Sequence, residues 1–262
     1  MRQGPSVTFG GATEGVRVQT TRRVSTGISA RFGPLKTLTP VVQVVSLFPV
    51  GTLFSSPFAI LNAVGLMAFA LVGASKAIRE EFDLLGIATV GLAMAFAGGA
   101  TRDLLVSRIP LVLQSTTEIA LGLGGVGLAV VLSVALSAPD THPVTVGADA
   151  IGLAAFATTG AIVATQAGVS AFGVVAIATI NAVGGGVLAD ILLDRAPFVL
   201  FDGFYASCAV LGGAIYWVAG ATGAGPGTAA LLCVTVTMAT RVAAVVLGWQ
   251  LPTAQQLGVR QG

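Results

Sequence analysis

The chain has 262 residues, of which 55% are hydrophobic and only 9% are charged, with a formal net charge of +2. A soluble domain carries about 25% charged residues, so this chain has too little charge to cover a surface that faces water. The composition therefore excludes a soluble globular domain and indicates an integral membrane protein. Long apolar runs such as residues 120–136 show no alternation of polarity, which favours membrane-spanning helices over an outer-membrane barrel.

Residues 1–57 differ from the rest of the chain. Residues 1–40 carry six basic residues against a single acid, Glu14, among Gly, Ser, Thr and Gln, which is typical of a disordered basic tail. Such a tail can contact the anionic head groups of membrane lipids; the alternative, a non-functional extension, is the favoured interpretation. Residues 41–58 are apolar but interrupted by prolines, which predicts an interfacial or irregular lead-in rather than a full span.

From Ile60 onwards the chain predicts a regular series of membrane-spanning helices. A helix needs roughly 20 apolar residues to cross a bilayer, and segments of this length alternate with short connections. Prolines fall at or beside these connections, where helices usually end. The predicted spans are residues 60–79, 84–107, 112–136, 148–166, 170–194, 203–220 and 227–249.

An internal repeat relates two parts of this series. A shift of 87 positions aligns residues 62–113 with residues 149–200 without a gap, and places Asp103 on Asp190. Each repeat contains three spans, and because three is odd the second copy enters the membrane from the opposite side. The predicted fold is an all-α membrane protein with seven transmembrane helices, arranged as two inverted three-helix repeats plus a seventh helix. The predicted segments are 1–57 (basic tail and lead-in), 58–140 (first repeat), 141–222 (second, inverted repeat) and 223–262 (seventh helix and C-terminal tail).

Both repeats place glycines and then an acid in the middle of an apolar segment. Glycine permits a helix to bend, and carbonyl groups that face a water-filled cavity attract cations. A carboxylate inside a membrane helix is costly and marks a candidate functional site. In an inverted repeat, the matching pair of glycine-interrupted helices indicates the permeation or binding site; the alternative is that these glycines serve close helix packing alone. The candidate pore residues are Gly98, Gly99 and Asp103 in the second span and Gly184, Gly185, Gly186 and Asp190 in the fifth.

Three basic residues in apolar segments are candidate charged neighbours of this pore. We expect Arg102 to form a local ion pair with Asp103 near a helix end, with its guanidinium group reaching outward. Lys76 lies among small residues and faces either the cavity or the membrane interface. Arg241 lies deep in the seventh span and needs an acidic partner, for which Asp103 or Asp190 would serve.

Other residues carry no predicted catalytic or metal chemistry. Cys208 and Cys233 lie in apolar segments and are expected to be small buried hydrophobic residues. His142 is the only histidine, so the sequence has no metal-binding pattern, and neither a metal nor a cofactor is expected. No Ser/His or paired-Asp spacing indicates an enzyme, and the dispersed basic residues do not indicate nucleic-acid binding. Tyr205, at the start of the sixth span, is expected to anchor that helix at the membrane interface.

The motif Gly-Gly-x-x-Arg-Asp that begins at Gly98, the Arg-x-Pro that follows it, their repetition and the trailing seventh helix resemble the prokaryotic trimeric intracellular cation (TRIC) channel family. The resemblance covers about residues 58–250. It implies a symmetric homotrimer in the cell membrane, with an hourglass pore in each protomer that is lined by the second and fifth helices. It also implies permeability to potassium and other monovalent cations such as sodium. Two residues depart from the family motif: Ala97 replaces a glycine in the first copy, and Ala189 replaces the arginine in the second.

The sequence therefore leaves two functions open. A passive monovalent cation channel is the leading hypothesis, and a secondary transporter of a small solute such as glycine is the alternative, because an inverted repeat suits both. An intramembrane enzyme is a weaker third hypothesis. Basic residues beside the short loops after the first, fifth and seventh spans predict that this side of the core is cytoplasmic.

Overall fold

The computed structural model describes residues 56–135, 143–201 and 204–252, and every regular element in these ranges is helical. The predicted basic tail and most of the lead-in, residues 1–55, lie outside the described residues, as does His142. Two short 3-10 helices, Leu111–Leu113 and Phe198–Leu200, precede the third and sixth α-helices of this described part. The α-helices are α1 (Pro57–Arg79), α2 (Leu84–Leu105), α3 (Thr116–Ala135), α4 (Pro143–Gln166), α5 (Ala171–Leu192), α6 (Ala206–Ala221) and α7 (Pro226–Leu247).

Six of these helices are long and apolar enough to cross a membrane. The exception is α6, an apolar helix of 16 residues. A helix of that length covers about 24 Å, so its flanking residues must extend the crossing. The chain is a multi-pass membrane protein, and the prediction of an all-α fold with seven membrane helices is confirmed.

Side-chain caps decide where several helices begin. The first N–H groups of a helix have no partner within it and need an acceptor from outside. Ser56 supplies one at the start of α1, where its hydroxyl oxygen accepts from the backbone N–H of Ala59 at 3.2 Å. Asp83 caps α2 at 2.7 Å and Ser170 caps α5 at 3.2 Å in the same way. Asp83 and Ser170 are equivalent under the 87-residue shift, so the two repeats start their second helices alike.

The predicted starts of two spans are wrong by a helical turn or more. The third span was expected from residue 112, but the backbone after Pro110 forms a 3-10 turn, and α3 begins only at Thr116. The fourth span was expected from residue 148, whereas α4 begins at Pro143. Proline is suited to the first position of a helix, because the N–H that it lacks would have no partner there.

The first helices of the two repeats, α1 and α4, interlock across the pseudo-twofold axis. The ring of Phe69 on α1 meets the ring of Phe156 on α4 edge to face, with centroids 5.1 Å apart. Each ring lies against a glycine of the other helix: a methyl group at Gly65 would overlap with Phe156, and one at Gly152 would overlap with Phe69. Phe69 and Phe156, like Gly65 and Gly152, are equivalent positions of the repeat. The symmetry seen in the sequence is therefore present in the packing.

The seventh helix, α7, packs against α4 and α6. Gly212 on α6 lies so close to α7 that a methyl group there would overlap with the hydroxyl oxygen of Thr237. Such close approach is the usual role of small residues between membrane helices. Cys208 and Cys233 are both buried free thiols in this region, which confirms the prediction that they are small buried hydrophobic residues.

Candidate functional site

The second helices of the two repeats, α2 and α5, cross at two of the predicted glycines. A methyl group at Gly98 would overlap with the backbone carbonyl oxygen of Asn181, and one at Gly185 would overlap with that of Met94. These two contacts are equivalent under the repeat, and together they show that α2 and α5 run antiparallel at the crossing. A backbone carbonyl cannot move aside as a flexible side chain can, so only glycine fits at Gly98 and Gly185.

The remaining glycines of the two motifs are less enclosed. A methyl group at Gly184 would lie 3.3 Å from the Cα of Gly98, which is a tight contact. A methyl group at Gly99 would find no atom nearer than 3.8 Å, and one at Gly186 would find none within 4 Å. The motif therefore combines packing glycines with glycines that leave open space. Both helices are continuous through the glycines, and the predicted bend stays a prediction.

Two cavities lie on either side of this crossing. The first has a volume of about 390 Å³ and the second of about 250 Å³. Asp103, Arg108 and Leu111 line the first cavity, and their counterparts Asp190, Arg195 and Phe198 line the second. The first cavity is lined by Phe58, Arg102, Asp103, Arg108, Ile109, Leu111, Gln114 and Val163. The second is lined by Val72, Lys76, Thr145, Val146, Asp149, Asp190, Arg195, Ala196, Phe198 and Arg241.

The two aspartates lie toward opposite ends of the crossing. Asp103 follows Gly98 by five residues on α2, and Asp190 follows Gly185 by five residues on α5. Because the helices are antiparallel and rise 1.5 Å per residue, the two carboxylates are roughly 20 Å apart along the helix axes. Each cavity therefore has its own carboxylate, separated from the other by the glycine crossing.

Asp103 accepts from two neighbours in the first cavity. Its Oδ1 accepts from Nε of Arg102 at 2.8 Å, and its Oδ2 accepts from the backbone N–H of Leu111 at 2.9 Å. The predicted Arg102–Asp103 ion pair is confirmed. The expectation that the guanidinium group reaches outward is wrong, because Arg102 is only 2% exposed. Its guanidinium carbon lies instead 5.5 Å from the centre of the Phe58 ring, which holds the cation within the protein.

Asp190 has the corresponding contacts in the second cavity. Its Oδ1 accepts from Nζ of Lys76 at 2.7 Å, and its Oδ2 accepts from the backbone N–H of Phe198 at 2.9 Å. The Lys76 ammonium also lies 5.6 Å from the centre of the Phe198 ring. Of the two predicted environments of Lys76, the structure shows the cavity rather than the membrane interface.

A second pair of polar contacts follows the same repeat and was missed from the sequence. Nδ2 of Asn62 donates to both carboxylate oxygens of Glu118 at 2.9 Å. In the other repeat, the hydroxyl of Tyr205 donates to Oδ1 of Asp149 at 2.9 Å. The 87-residue shift relates Asn62 to Asp149 and Glu118 to Tyr205. The carboxylate is therefore on the second member of the pair in the first repeat, Glu118, and on the first member in the second repeat, Asp149. Tyr205 is only 1% exposed, and the expectation that it anchors α6 at the membrane interface is wrong.

Arg241 of α7 reaches this second pair. Its Nη2 lies 3.7 Å from Oδ2 of Asp149, and its guanidinium carbon lies 4.5 Å from the centre of the Tyr205 ring. The predicted partners, Asp103 or Asp190, are wrong, because α7 packs against α4 and so brings Arg241 to Asp149. Within the described ranges, no group of three or more His, Cys, Asp or Glu side chains could hold a metal ion.

Comparisons with known proteins agree with this architecture. A family model described as Glycine transporter matches residues 59–134 and 147–221, one match in each repeat. A UPF0126 membrane protein from Deinococcus radiodurans is 35% identical over 161 residues, which cover 60% of this chain and 74% of that protein. The UPF0126 membrane protein YvgT from Bacillus subtilis is 35% identical over 194 residues, which cover 74% of this chain and 94% of YvgT.

Solved structures share the fold at similar levels of identity. One, which reports the structural basis for conductance through TRIC cation channels, is 34% identical with a TM-score of 0.68, and covers 74% of this chain and 95% of that chain. The TRIC trimeric intracellular cation channel orthologue from Rhodobacter sphaeroides is 30% identical with a TM-score of 0.64. The match covers 73% of this chain and 98% of the orthologue. The sequence relatives are membrane proteins, and the solved structures are those of cation channels. The chain belongs to the prokaryotic trimeric intracellular cation channel family, which the glycine-transporter model and the UPF0126 relatives fit.

Proposed function

We propose that the chain is a cation channel in which each protomer carries an hourglass pore between the two cavities. One observation carries this proposal: equivalent cavities, each with its own aspartate, lie on either side of a crossing where glycines replace side chains. A narrow region between two wider, acid-containing vestibules is the shape that a conducting pathway needs. The relationship to solved TRIC cation channels supports the same function.

The charges of the two cavities suit the passage of a cation rather than its tight binding. Each aspartate is already paired with a cation, Arg102 for Asp103 and Lys76 for Asp190. A permeating ion therefore meets a carboxylate whose charge is largely balanced. Conduction requires binding that is favourable enough for entry and weak enough for release. Because each carboxylate is already balanced by a protein cation and would hold a monovalent ion only weakly, we propose that potassium and sodium are the permeant ions.

The narrow region itself is formed by backbone and glycine. We propose that Gly99, where a methyl group would make only ordinary van der Waals contact, and Gly186, where it would meet open space, face the pathway. Gly98, Gly184 and Gly185 hold α2 and α5 together. Backbone carbonyl groups along such a face are suitable ligands for a partly dehydrated monovalent cation. Lys76, Arg102, Asp103, Asp190 and Arg241 are then the charged residues next to the pore.

The assembly and the segment boundaries belong to the same proposal. The similarity to a trimeric channel supports a homotrimer in the cell membrane, surrounded by lipid. The two matches of the family model, residues 59–134 and 147–221, support repeats at 58–140 and 141–222, with 223–262 as an appended helix and tail and 1–57 as a separate N-terminal segment.

A secondary transporter of a small solute such as glycine is the second candidate. The description of the family model as Glycine transporter favours it, and so does the second cavity, which presents both carboxylates and cations to a zwitterion. An inverted repeat with a central crossing suits alternating access as well as conduction.

Electrical recording separates the two candidates. The purified protein is reconstituted into planar bilayers with potassium chloride on both sides, and into vesicles loaded for uptake of labelled glycine. Unitary current steps that reverse at the potassium equilibrium potential would support the channel. Saturable glycine uptake in the absence of unitary currents would instead establish the transporter.

A further inference from the structure

The aspartates of the two cavities are held in the same way, but their cations come from different places. In each case a backbone N–H donates to Oδ2 at 2.9 Å and a side-chain cation lies on Oδ1, at 2.8 Å for Arg102 and at 2.7 Å for Lys76. Arg102 is the chain neighbour of Asp103 on α2. Lys76 is on α1 of the first repeat, whereas its partner Asp190 is on α5 of the second. The second ion pair therefore links the two halves.

The sequence shows that both cations come from the first repeat. The position equivalent to Arg102 in the second repeat is Ala189, which is fully buried and carries no charge. The position equivalent to Lys76 in the second repeat is Val163. Val163 lines the first cavity and Lys76 lines the second. Each cavity thus has one cation on its aspartate. Arg102 pairs with Asp103 within the first repeat, and Lys76 of the first repeat pairs with Asp190 of the second.

We propose that Lys76 replaces the arginine missing at Ala189, and that it is the positioning residue for the pore carboxylate Asp190. A carboxylate that is nearly excluded from solvent needs a cation and hydrogen-bond donors to remain charged. The backbone N–H of Phe198 supplies one donor, and Lys76 supplies the charge. Lys76 thereby fixes the orientation of Asp190 in the second vestibule, as Arg102 does for Asp103 in the first.

The two possible sources of this cation exclude each other. Arg102 extends from α2 into the space beside Phe58, in the cavity that Val163 also lines. By the symmetry of the repeat, an arginine at position 189 would extend into the space beside Thr145 and Lys76. Two cations there would compete for the same oxygen of Asp190 and repel each other. An arginine at position 189 is therefore compatible with a valine at position 76, but not with Lys76.

The test is a set of exchange variants: Lys76→Val, Ala189→Arg, and the double variant Lys76→Val/Ala189→Arg. Unfolding temperature in detergent and single-channel potassium conductance in planar bilayers are measured for each. Each single variant is expected to lower the unfolding temperature and to change conductance by about threefold or more, because charge in a vestibule sets the local ion concentration. The double variant is expected to return both quantities close to those of the unchanged protein, which is a strongly non-additive result.

Two further variants keep the test decisive if the double variant does not fold. Lys76→Met is expected to lower the unfolding temperature, and Lys76→Met/Asp190→Asn to recover it, since removing both partners leaves no buried unpaired charge. Glu80→Gln is the matched control, because Glu80 pairs with Arg195 across the same two repeats but both side chains are exposed. Its unfolding temperature is expected to change little; it is a control for stability only, because Arg195 lines the second cavity.

The conductance measurement depends on the proposed channel function, whereas the measurement of unfolding temperature does not. Rescue of the unfolding temperature in a protein that never shows unitary currents would uphold the role of Lys76 on Asp190 and overturn the channel. Unchanged unfolding temperature and conductance in Lys76→Val would overturn the inference. A stability loss in Lys76→Val with unchanged conductance would also overturn it, because Lys76 would then be structural only.

Discussion

The backbone carbonyl oxygen of Asn181 occupies the space that a Cβ atom on Gly98 would need. The same relationship holds between Met94 and Gly185, which are the equivalent positions in the repeat. Because a main-chain atom blocks each site, α2 and α5 can approach this closely only if both residues are glycine. The distance between α2 and α5 is therefore set by these two positions, and the width of the proposed pathway would follow from it.

This contact predicts opposite effects for two adjacent glycines. Gly185→Ala forces α5 away from Met94, and overpacking of this kind costs about 1–3 kcal/mol of stability. Gly186→Ala meets no atom within 4 Å, and removing a glycine from a helix gains up to about 1 kcal/mol. Thermal unfolding in detergent should place Gly185→Ala below the unchanged protein and Gly186→Ala at or above it. Equal effects at both positions would contradict the packing role of Gly185.

A larger side chain at Gly186 tests the pathway rather than the packing. Gly186→Leu is expected to reduce potassium flux by about tenfold, because a pore that conducts through backbone and glycine has no room for a branched side chain. Gly124→Leu on α3 is the matched control, since Gly124 also has open space where a side chain would go but lies away from the crossing. Vesicle flux assays on both variants measure this. A flux loss of the same size in Gly124→Leu would show that the effect is not specific to the pathway.

The aromatic contact between the repeats makes a prediction about stability. Phe69→Ala removes a fully buried ring and is expected to cost about 3–5 kcal/mol. Gly152→Ala is expected to be destabilising as well, because the new methyl group would overlap with Phe69. The double variant Phe69→Ala/Gly152→Ala should be less unstable than the sum of the two, since the space left by the ring accommodates the methyl group. Unfolding temperatures of the three variants decide this, and additive losses would contradict the interlocked packing.

The buried hydroxyl of Tyr205 gives a fourth prediction. Tyr205→Phe keeps the ring that contacts Arg241 but removes the donor to Asp149. Loss of a hydrogen bond to a charged group costs about 1.5–3 kcal/mol, so the unfolding temperature should fall. Tyr216→Phe on the adjacent α6 is the control, because it makes the same chemical change in the same helix bundle. A larger loss for Tyr216→Phe than for Tyr205→Phe would argue against the role of the Asp149 contact.

The sequence alone predicted the parts of the candidate site that lie on single helices. The glycine–aspartate segments and the 87-residue shift are visible because the residues concerned are close in the chain or repeat in one frame. The partners of Tyr205 and Arg241 were not predictable, because periodicity indicates which residues are in a helix but not which helix faces which. The start of α3 was missed for a local reason, since the apolar residues after Pro110 form a 3-10 turn that has the composition of a helix.

The origin of both cations, Lys76 and Arg102, in the first half bears on how such a chain arises by duplication. Two copies of the first half, paired with each other, would place a lysine and an arginine on the aspartate of every cavity. Two copies of the second half would place neither, because Ala189 and Val163 stand at those positions. Only the pairing of one half with the other supplies a single cation to each aspartate. The two halves are therefore complementary. A symmetric dimer of the first half would have two cations on each aspartate, and one of the second half would have none.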